Sequence, residues 1–131
     1  IGKSQVIKWE NEGVIEYLGF NHDPRGFIEG ADCVVLPSYR EGLPRSLLEG
    51  AAMGRPLLAS DCPGCTDVVM DGVNGFVFRT KNSESLLSAM RRFIKLSFSE
   101  RQQIGAAGRK IVEDRFDQSL VHEAYLKVTT G

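Results

Sequence analysis

The chain has 131 residues, of which 42% are hydrophobic and 25% are charged, a balance typical of one soluble globular domain with its own core. Sixteen Lys and Arg against 17 Asp and Glu give a net charge of −1, which excludes the basic surface that nucleic-acid binding requires. Three cysteines and the lack of a long apolar stretch predict a reduced, cytoplasmic setting with no disulfide framework and no membrane span.

The predicted elements alternate between short strands and helices. In chain order they are a strand at 14–19, a helix at about 25–30, strand 33–36, a helix at about 44–53, strand 56–60, a short helix at about 66–70 and strand 76–78. Strand 33–36 is apolar throughout, so we expect it to be buried on both faces. Strands separated by helices predict a parallel sheet with flanking helices, an α/β fold.

The last third of the chain, about 83–130, is predicted to be a helical tail of the same single domain. Its first helix begins near Asn82 or Ser83, its second with a capping box of Ser99 and Gln102, and its third near Asp117. The apolar faces of the three helices are Leu86, Met90, Phe93 and Ile94; Ile104, Ile111 and Val112; and Val121, Ala124, Tyr125 and Val128.

The segment after Leu36 has the strongest signs of a binding site, because parallel sheets bind ligands at the carboxyl ends of their strands. A loop there leads into the helix that starts at Pro44, whose free N–H groups and dipole favour an anion such as a diphosphate. Glu41 lies in the loop, and Glu49 lies in the second helical turn with its side chain tilted back toward the N-terminus. Acids beside a diphosphate make electrostatic sense when they accept hydrogen bonds from neutral hydroxyls, which sugars supply.

Simpler interpretations also fit these residues. Glu41 and Glu49 could be solvated acids that the helix dipole favours. Cys62 and Cys65 have the spacing of a redox pair or of half a zinc site, but a zinc site needs four ligands. We expect the loop that carries these two cysteines to border the ligand pocket instead.

Residues 41–56, EGLPRSLLEGAAMGRP, resemble the signature of family-4-type retaining GT-B glycosyltransferases, in which seven residues separate two glutamates. The resemblance extends from about Val14 to Phe116, and its other motifs occur in the same order as in the family. These motifs are YLG at 17–19, ADCVVLPS at 31–38, PG at 63–64 and DGVNGF at 71–76. Residues 39–45 and 63–65 are most similar to bacterial enzymes that build capsule, lipopolysaccharide or lipid-linked oligosaccharides.

The resemblance implies a Rossmann-like parallel sheet with flanking helices, the C-terminal, donor-binding half of a GT-B architecture. Glu49 would bind the ribose hydroxyls, and Glu41 would be the catalytic residue that faces the donor sugar near its reacting carbon. Phe20, Asn21 and Asp23 correspond to the segment near the base.

The diphosphate contacts implied by the resemblance fall in the loop and the first helical turn. Pro44 replaces a glycine often found in the family and has no N–H, so the contacts would fall on Gly42, Leu43, Arg45 or Ser46. We expect Ser38 to orient the loop.

The intact enzyme, by this resemblance, transfers a sugar from a nucleotide-diphosphate sugar, with UDP the expected nucleotide, to a glycan or lipid-linked acceptor. The transfer retains the anomeric configuration and needs no metal cofactor. The family's acceptor-binding N-terminal domain has no counterpart in this sequence, which opens at Ile1, so we expect an inactive fragment. The expected location is the cytoplasm, with or without peripheral contact at the inner membrane face. The alternative is a non-catalytic α/β binding or regulatory module.

Overall fold

The structure, a computed structural model, describes residues 7–8, 11–13, 25–38, 40, 42 and 44–116. The predicted strand at 14–19 and the third tail helix lie outside these residues. The described elements are α1 (Arg25–Glu29), β1 (Val34–Leu36), α2 (Arg45–Ala52), β2 (Leu57–Ser60), α3 (Cys65–Val68), β3 (Gly75–Phe78), α4 (Ser83–Ile94) and α5 (Phe98–Arg115).

The three strands form a parallel sheet in the order β1-β2-β3. Leu58 of β2 pairs with Val35 on one side and with Phe76 on the other. Since all three strands run in one direction, their carboxyl ends lie at the same edge of the sheet. The predicted α/β fold with a parallel sheet is confirmed.

Two apolar layers cover the two faces of the sheet, because successive strand residues point to opposite sides. Leu57 and Ala59 belong to the first layer, together with buried residues of α2, α3 and α5. Leu58 belongs to the second layer, where β3 contributes Phe76 and α4 contributes Phe93. Helices α2 and α4 therefore lie against opposite faces of the sheet.

β2 and β1 differ in burial. All four residues of β2 are buried, as a central strand requires. The expectation that strand 33–36 is buried on both faces is wrong, since β1 covers only Val34–Leu36 and all three residues are half-buried. The reason is its position: among the described strands, β1 pairs with β2 alone.

Small residues let α5 approach the end of α2. A Cβ atom on Gly105 would lie 1.9 Å from the backbone oxygen of Gly54. Nearby, the Arg109 guanidinium donates a hydrogen bond of 3.4 Å to the carbonyl of Ala52, one of the carbonyls that the end of α2 leaves without a helical partner. These contacts fix the carboxyl end of α2, and with it the direction of the helix.

Helix α4 begins as predicted, with the Asn82 side chain accepting a hydrogen bond of 2.9 Å from the Ser85 N–H. Its predicted apolar face is correct only in part. Phe93 is buried and Leu86 is half-buried, but Ile94, the last residue of the helix, is 69% exposed. Met90 is also exposed, because the buried stripe follows residues 86, 89 and 93.

The capping box of α5 is not the predicted pair of Ser99 and Gln102. It consists of Ser97 and Glu100, whose hydrogen bonds measure 3.1 Å from the Glu100 N–H and 2.9 Å from the Ser97 N–H. Both pairs fit the sequence pattern of a capping box. A charged carboxylate accepts a stronger hydrogen bond than an amide, which favours the box that contains glutamate.

Candidate nucleotide-sugar site

The N-terminus of α2 has the features that the sequence predicts for an anion site. Pro44 is its N-cap residue, no side chain in the described part of the chain caps the helix, and its first turn contains no acid. The first intrahelical hydrogen bonds run from the N–H groups of Leu47 and Leu48 to the carbonyl of Pro44, each 3.1 Å long. The N–H groups of the two preceding residues, Arg45 and Ser46, point out of the helix end. This end combines N–H donors that the helix itself leaves unused with the positive pole of the helix dipole.

Glu49 lies one turn further along α2 and is 6% exposed. The Arg45 guanidinium lies 3.7 Å from its carboxylate, and the arginine side chain is 59% exposed. A buried carboxylate of this kind needs partners for its charge. The interpretation of Glu49 as a solvated acid is therefore wrong, since its carboxylate is enclosed directly behind the helix N-terminus.

The described residues include part of the predicted site. Gly42 and Arg45 are exposed, Ser38 and Ser46 are half-buried, and Glu49 is buried. The structure brings Arg45 and Glu49 together at one end of α2. The other predicted site residues lie outside the described part of the chain: Glu41, Leu43, Phe20, Asn21 and Asp23.

Ser38 is held in place by the end of β2. The hydroxyl of Ser60 donates a hydrogen bond to the backbone carbonyl of Ser38 and lies 3.5 Å from the carbonyl of Leu36. Ser60 is 1% exposed. The segment that leaves β1 toward the predicted loop is thus fixed to the neighbouring strand.

A cleft of about 540 Å³ opens at the carboxyl ends of all three strands. It is lined by Pro37, Ser38, Ser60, Phe78, Arg79, Lys81, Asn82, Ser83 and Leu86. Of these, only Ser38 is a predicted site residue. The place of residues 79–83 in the chain could have indicated the others. These residues follow the end of β3, and such segments line the binding sites of parallel sheets.

The loops that follow β2 and β3 are joined by hydrogen bonds at the carboxyl edge of the sheet. The Asp61 carboxylate after β2 accepts hydrogen bonds from Thr80 after β3, 2.8 Å from its hydroxyl and 3.0 Å from its N–H. These bonds lower the pKa of the Asp61 carboxyl below its ordinary value, with smaller help from the nearby Arg79 charge. The Arg79 N–H donates to the Ser85 hydroxyl at 2.8 Å. The first two residues of the connection between β3 and α4 are therefore held in place.

The cysteines belong to the core. Cys62 and Cys65 are buried free thiols of the first apolar layer, and the cleft reaches Ser60 but none of residues 62–65. Burial also raises the pKa of the half-buried Cys33 thiol, and the adjacent Asp32 adds to this effect. Within the described ranges, no three His, Cys, Asp or Glu side chains group as metal ligands would.

Residues 3–111 match the family of group 1 glycosyl transferases. The chain belongs to this family. This family agrees with the one that the sequence motif containing Glu41 and Glu49 resembles.

Individual relatives and a solved structure are also similar to this chain. The N,N'-diacetylbacillosaminyl-diphospho-undecaprenol α-1,3-N-acetylgalactosaminyltransferase of Campylobacter jejuni is 30% identical over 124 residues, 93% of this chain and 32% of the relative. The capsular polysaccharide biosynthesis glycosyltransferase CapM of Staphylococcus aureus is 29% identical over 101 residues, 77% of this chain and 26% of the relative. The crystal structure of Anabaena HepE with UDP and glucose superposes with a TM-score of 0.77 at 24% identity, covering 96% of this chain and 34% of HepE.

The fold is thus the Rossmann-like fold of GT-B glycosyltransferases. The chain spans about a third of the length of these relatives. In the part of the chain that the structure describes, no helix has the length and apolarity of a membrane span.

Proposed function

We propose that this chain is the donor-binding domain of a retaining hexosyltransferase that uses a nucleotide-diphosphate sugar, with a UDP-sugar as the expected donor. One observation carries the proposal: a helix N-terminus that none of the described side chains caps is followed, one turn later, by a buried carboxylate. The helix N-terminus attracts a diphosphate, and the carboxylate accepts hydrogen bonds from neutral hydroxyls. A nucleotide sugar carries both groups side by side, because its ribose is attached to the diphosphate.

In this proposal the diphosphate lies against the start of α2. The N–H groups of Arg45 and Ser46 donate to its oxygens, and Gly42 and Leu43 of the preceding loop add further N–H donors. The guanidinium of Arg45 contributes a full positive charge. Negative charge grows on the nucleoside diphosphate as the sugar leaves, and donors that are already fixed in place stabilise that charge without reorganisation.

Two acids have separate roles in the proposal. Glu49 accepts hydrogen bonds from the ribose hydroxyls, and Glu41 faces the donor sugar near its anomeric carbon as the catalytic residue. Phe20, Asn21 and Asp23 contact the base. The proposed site contains no metal ion, since the helix N-terminus and Arg45 supply the positive charge.

The proposed acceptor is a glycan or a lipid-linked sugar. The printed name of the Campylobacter jejuni relative contains an undecaprenol-linked diphosphate, which supports an acceptor of this kind. An enzyme with such an acceptor would work in the cytoplasm, in peripheral contact with the inner membrane face. Acceptor binding is assigned to a separate N-terminal domain, so this chain is expected to bind the donor without turning it over.

A calorimetric titration of the chain with UDP tests the proposal. Glu49→Gln keeps the shape of the side chain but removes the charge that accepts from the ribose. We expect it to weaken UDP binding by about 1.5 to 3 kcal/mol, or roughly 10- to 150-fold. Glu113→Gln is a matched control, because Glu113 also pairs with an arginine four residues earlier, 2.8 Å from Arg109.

The control variant should bind UDP as the unmodified chain does. Equal affinities of the two variants would contradict the role of Glu49 and favour a non-catalytic binding module. Failure of the unmodified chain to bind UDP would contradict the proposed function itself.

A further inference from the structure

The corner between α4 and α5 presents two apolar side chains to solvent. Phe98, the first residue of α5, is 76% exposed, and Ile94, the last residue of α4, is 69% exposed. These two residues, the exposed pair, have the largest exposed fractions among the large hydrophobic residues that the structure describes. Leu87 and Met90 are also exposed, and they precede Ile94 by seven and four residues, so they extend the same face of α4. Grouped apolar residues on a surface indicate a contact site, unlike single ones.

The corner is held in place from the inside. Phe93 and Leu96, which lie between the outward-facing residues in the sequence, pack in the second apolar layer. The guanidinium of Arg101 lies 4.4 Å from the centre of the Phe93 ring and donates a hydrogen bond of 3.2 Å to the carbonyl of Ile94. The end of α4 is therefore fixed to the first turns of α5, and the exposed pair belongs to an ordered surface.

Positive charge borders the exposed pair. Residues 87–101 contain four bases and one acid. Arg92 is engaged, since its guanidinium lies 3.5 Å from the Asp71 carboxylate. Arg91 and Lys95 are exposed, and neither side chain forms an ion pair with any residue in the part of the chain that the structure describes. Two bases beside the exposed pair are therefore available to a partner of opposite charge.

The charges also indicate the kind of partner. The one acid of this stretch, Glu100, accepts a hydrogen bond of 2.9 Å from the Ser97 N–H in the capping box of α5. In a two-fold dimer through this corner, Arg91 and Lys95 of both copies would lie close together, and like charges in an interface are unfavourable. A lipid bilayer with anionic headgroups offers negative charge and an apolar interior in one surface, which matches both features of the corner.

We propose that the corner between α4 and α5 contacts an anionic lipid bilayer. The exposed pair inserts among the headgroups, and Arg91 and Lys95 pair with lipid phosphates. The inference rests on the proposed function, in which the acceptor is lipid-linked and the enzyme works at the membrane face. It places a membrane contact on the donor-binding domain and leaves acceptor binding to the other domain.

Sedimentation of the chain with lipid vesicles tests the proposal. We expect binding to phosphatidylcholine vesicles that contain about 30% phosphatidylglycerol, and at least about tenfold weaker binding to pure phosphatidylcholine. Arg91→Gln/Lys95→Gln should weaken binding to the anionic vesicles by about 30-fold, the equivalent of about 1 kcal/mol for each base. Ile94→Ser/Phe98→Ser should weaken it by at least about tenfold, because the apolar contact is lost.

Two matched variants carry similar changes at other exposed positions. Lys110→Gln/Arg115→Gln removes two exposed bases from the second half of α5, and Phe27→Ser removes an exposed phenylalanine from α1. Both should bind the anionic vesicles as the unmodified chain does. Equal losses in the test and control variants would overturn the proposal, as would equal binding of the unmodified chain to both kinds of vesicle.

Other partners and a failure of the proposed function give different results. A dimer that Ile94→Ser/Phe98→Ser abolishes, in a chain that binds neither kind of vesicle, would assign the corner to a second copy and overturn the proposal. All variants should bind UDP as the unmodified chain does, because none of the substituted residues belongs to the proposed donor site. Failure of UDP to bind overturns the proposed function, whereas failure of the vesicles alone overturns only the membrane contact.

Discussion

The hydroxyl of Ser60, the last residue of β2, donates a hydrogen bond to the backbone carbonyl of Ser38, two residues beyond the end of β1. This bond ties together the carboxyl ends of two neighbouring strands. Ser38 leads toward the start of α2 on one side and lines the cleft on the other. The buried Ser60 side chain therefore helps to position both the segment that leads to α2 and one wall of the cleft.

Replacement of Ser60 by alanine should destabilise the chain by about 1 to 3 kcal/mol, because the half-buried carbonyl of Ser38 loses the hydroxyl that donates to it. Ser88→Ala is the control, since Ser88 is exposed on α4 and its loss should change stability by less than about 0.5 kcal/mol. Urea unfolding followed by circular dichroism measures both. Indistinguishable unfolding midpoints for the two variants would argue against the structural role of Ser60.

The Asp61–Thr80 contact predicts a pH dependence of stability. The folded state lowers the pKa of the Asp61 carboxyl from its ordinary value of 3.8. Stabilisation from this contact is therefore complete above pH 3.8 and is lost as the pH falls through the lowered pKa.

Thr80→Val tests the cause, because valine removes the hydroxyl that donates to Asp61 while keeping the shape of the side chain. We expect the carboxyl pKa, followed by NMR titration, to return toward its ordinary value. The melting temperatures of the unmodified chain and Asp61→Asn should converge as the pH falls from about 7 to about 2. A constant difference across this range would contradict the predicted linkage.

Gly105 should not tolerate a side chain. The Cβ of Gly105→Ala would lie 1.9 Å from the Gly54 oxygen, so α5 would have to move away from α2. We expect a loss of stability of about 1 to 3 kcal/mol or more, the usual effect of overpacking.

Gly26→Ala is the matched control for this substitution. Gly26 is helical, and an added Cβ would meet no atom within 4 Å, so this variant should gain up to about 1 kcal/mol. Both effects can be read from urea unfolding curves. A stable Gly105→Ala variant would contradict the close approach of the two helices.

Substitution of the two glutamates of the motif should affect different properties, nucleotide affinity for Glu49 and kcat for Glu41. Glu49→Ala should weaken UDP binding by this chain more than Glu41→Ala, because Glu49 is assigned to the ribose. In an enzyme that also contains the acceptor-binding domain, Glu41→Ala should cause the larger loss of kcat. An interaction made mainly in the transition state changes the rate and leaves ground-state affinity almost unchanged.

UDP affinities of both variants, followed by their kcat values in the larger enzyme, measure this difference. If Glu41→Ala lowers UDP affinity as much as Glu49→Ala does, the two roles are not separate.

Much of the fold could be predicted because its signals are local and repeated. The strand predicted at 56–60 agrees with β2 to within one residue, and the helix predicted at about 44–53 agrees with α2 to within one residue at each end. The burial of Glu49 could not be predicted in the same way. It depends on how α2 lies against the sheet, and the sequence alone leaves a solvated acid equally acceptable.

The cleft shows a second limit of sequence analysis. Arg79 and Lys81 form no periodic pattern, and single exposed bases are usually solvated. They line one cleft only because the parallel register places the end of β3 beside the end of β2, at the same edge of the sheet as the end of β1. The exposure of Ile94 could not be predicted for a similar reason, because it depends on the residue at which α4 ends.

The central claim is that the start of α2 binds the diphosphate of a nucleotide. Its most direct test is a UDP titration of the ¹⁵N-labelled chain in the presence of a metal chelator. We predict that the largest amide shifts occur at Gly42, Arg45 and Ser46 and that they do not depend on a divalent cation. Shifts confined to amides elsewhere in the chain, or UDP binding only when Mg²⁺ is added, would contradict a diphosphate site at the start of α2.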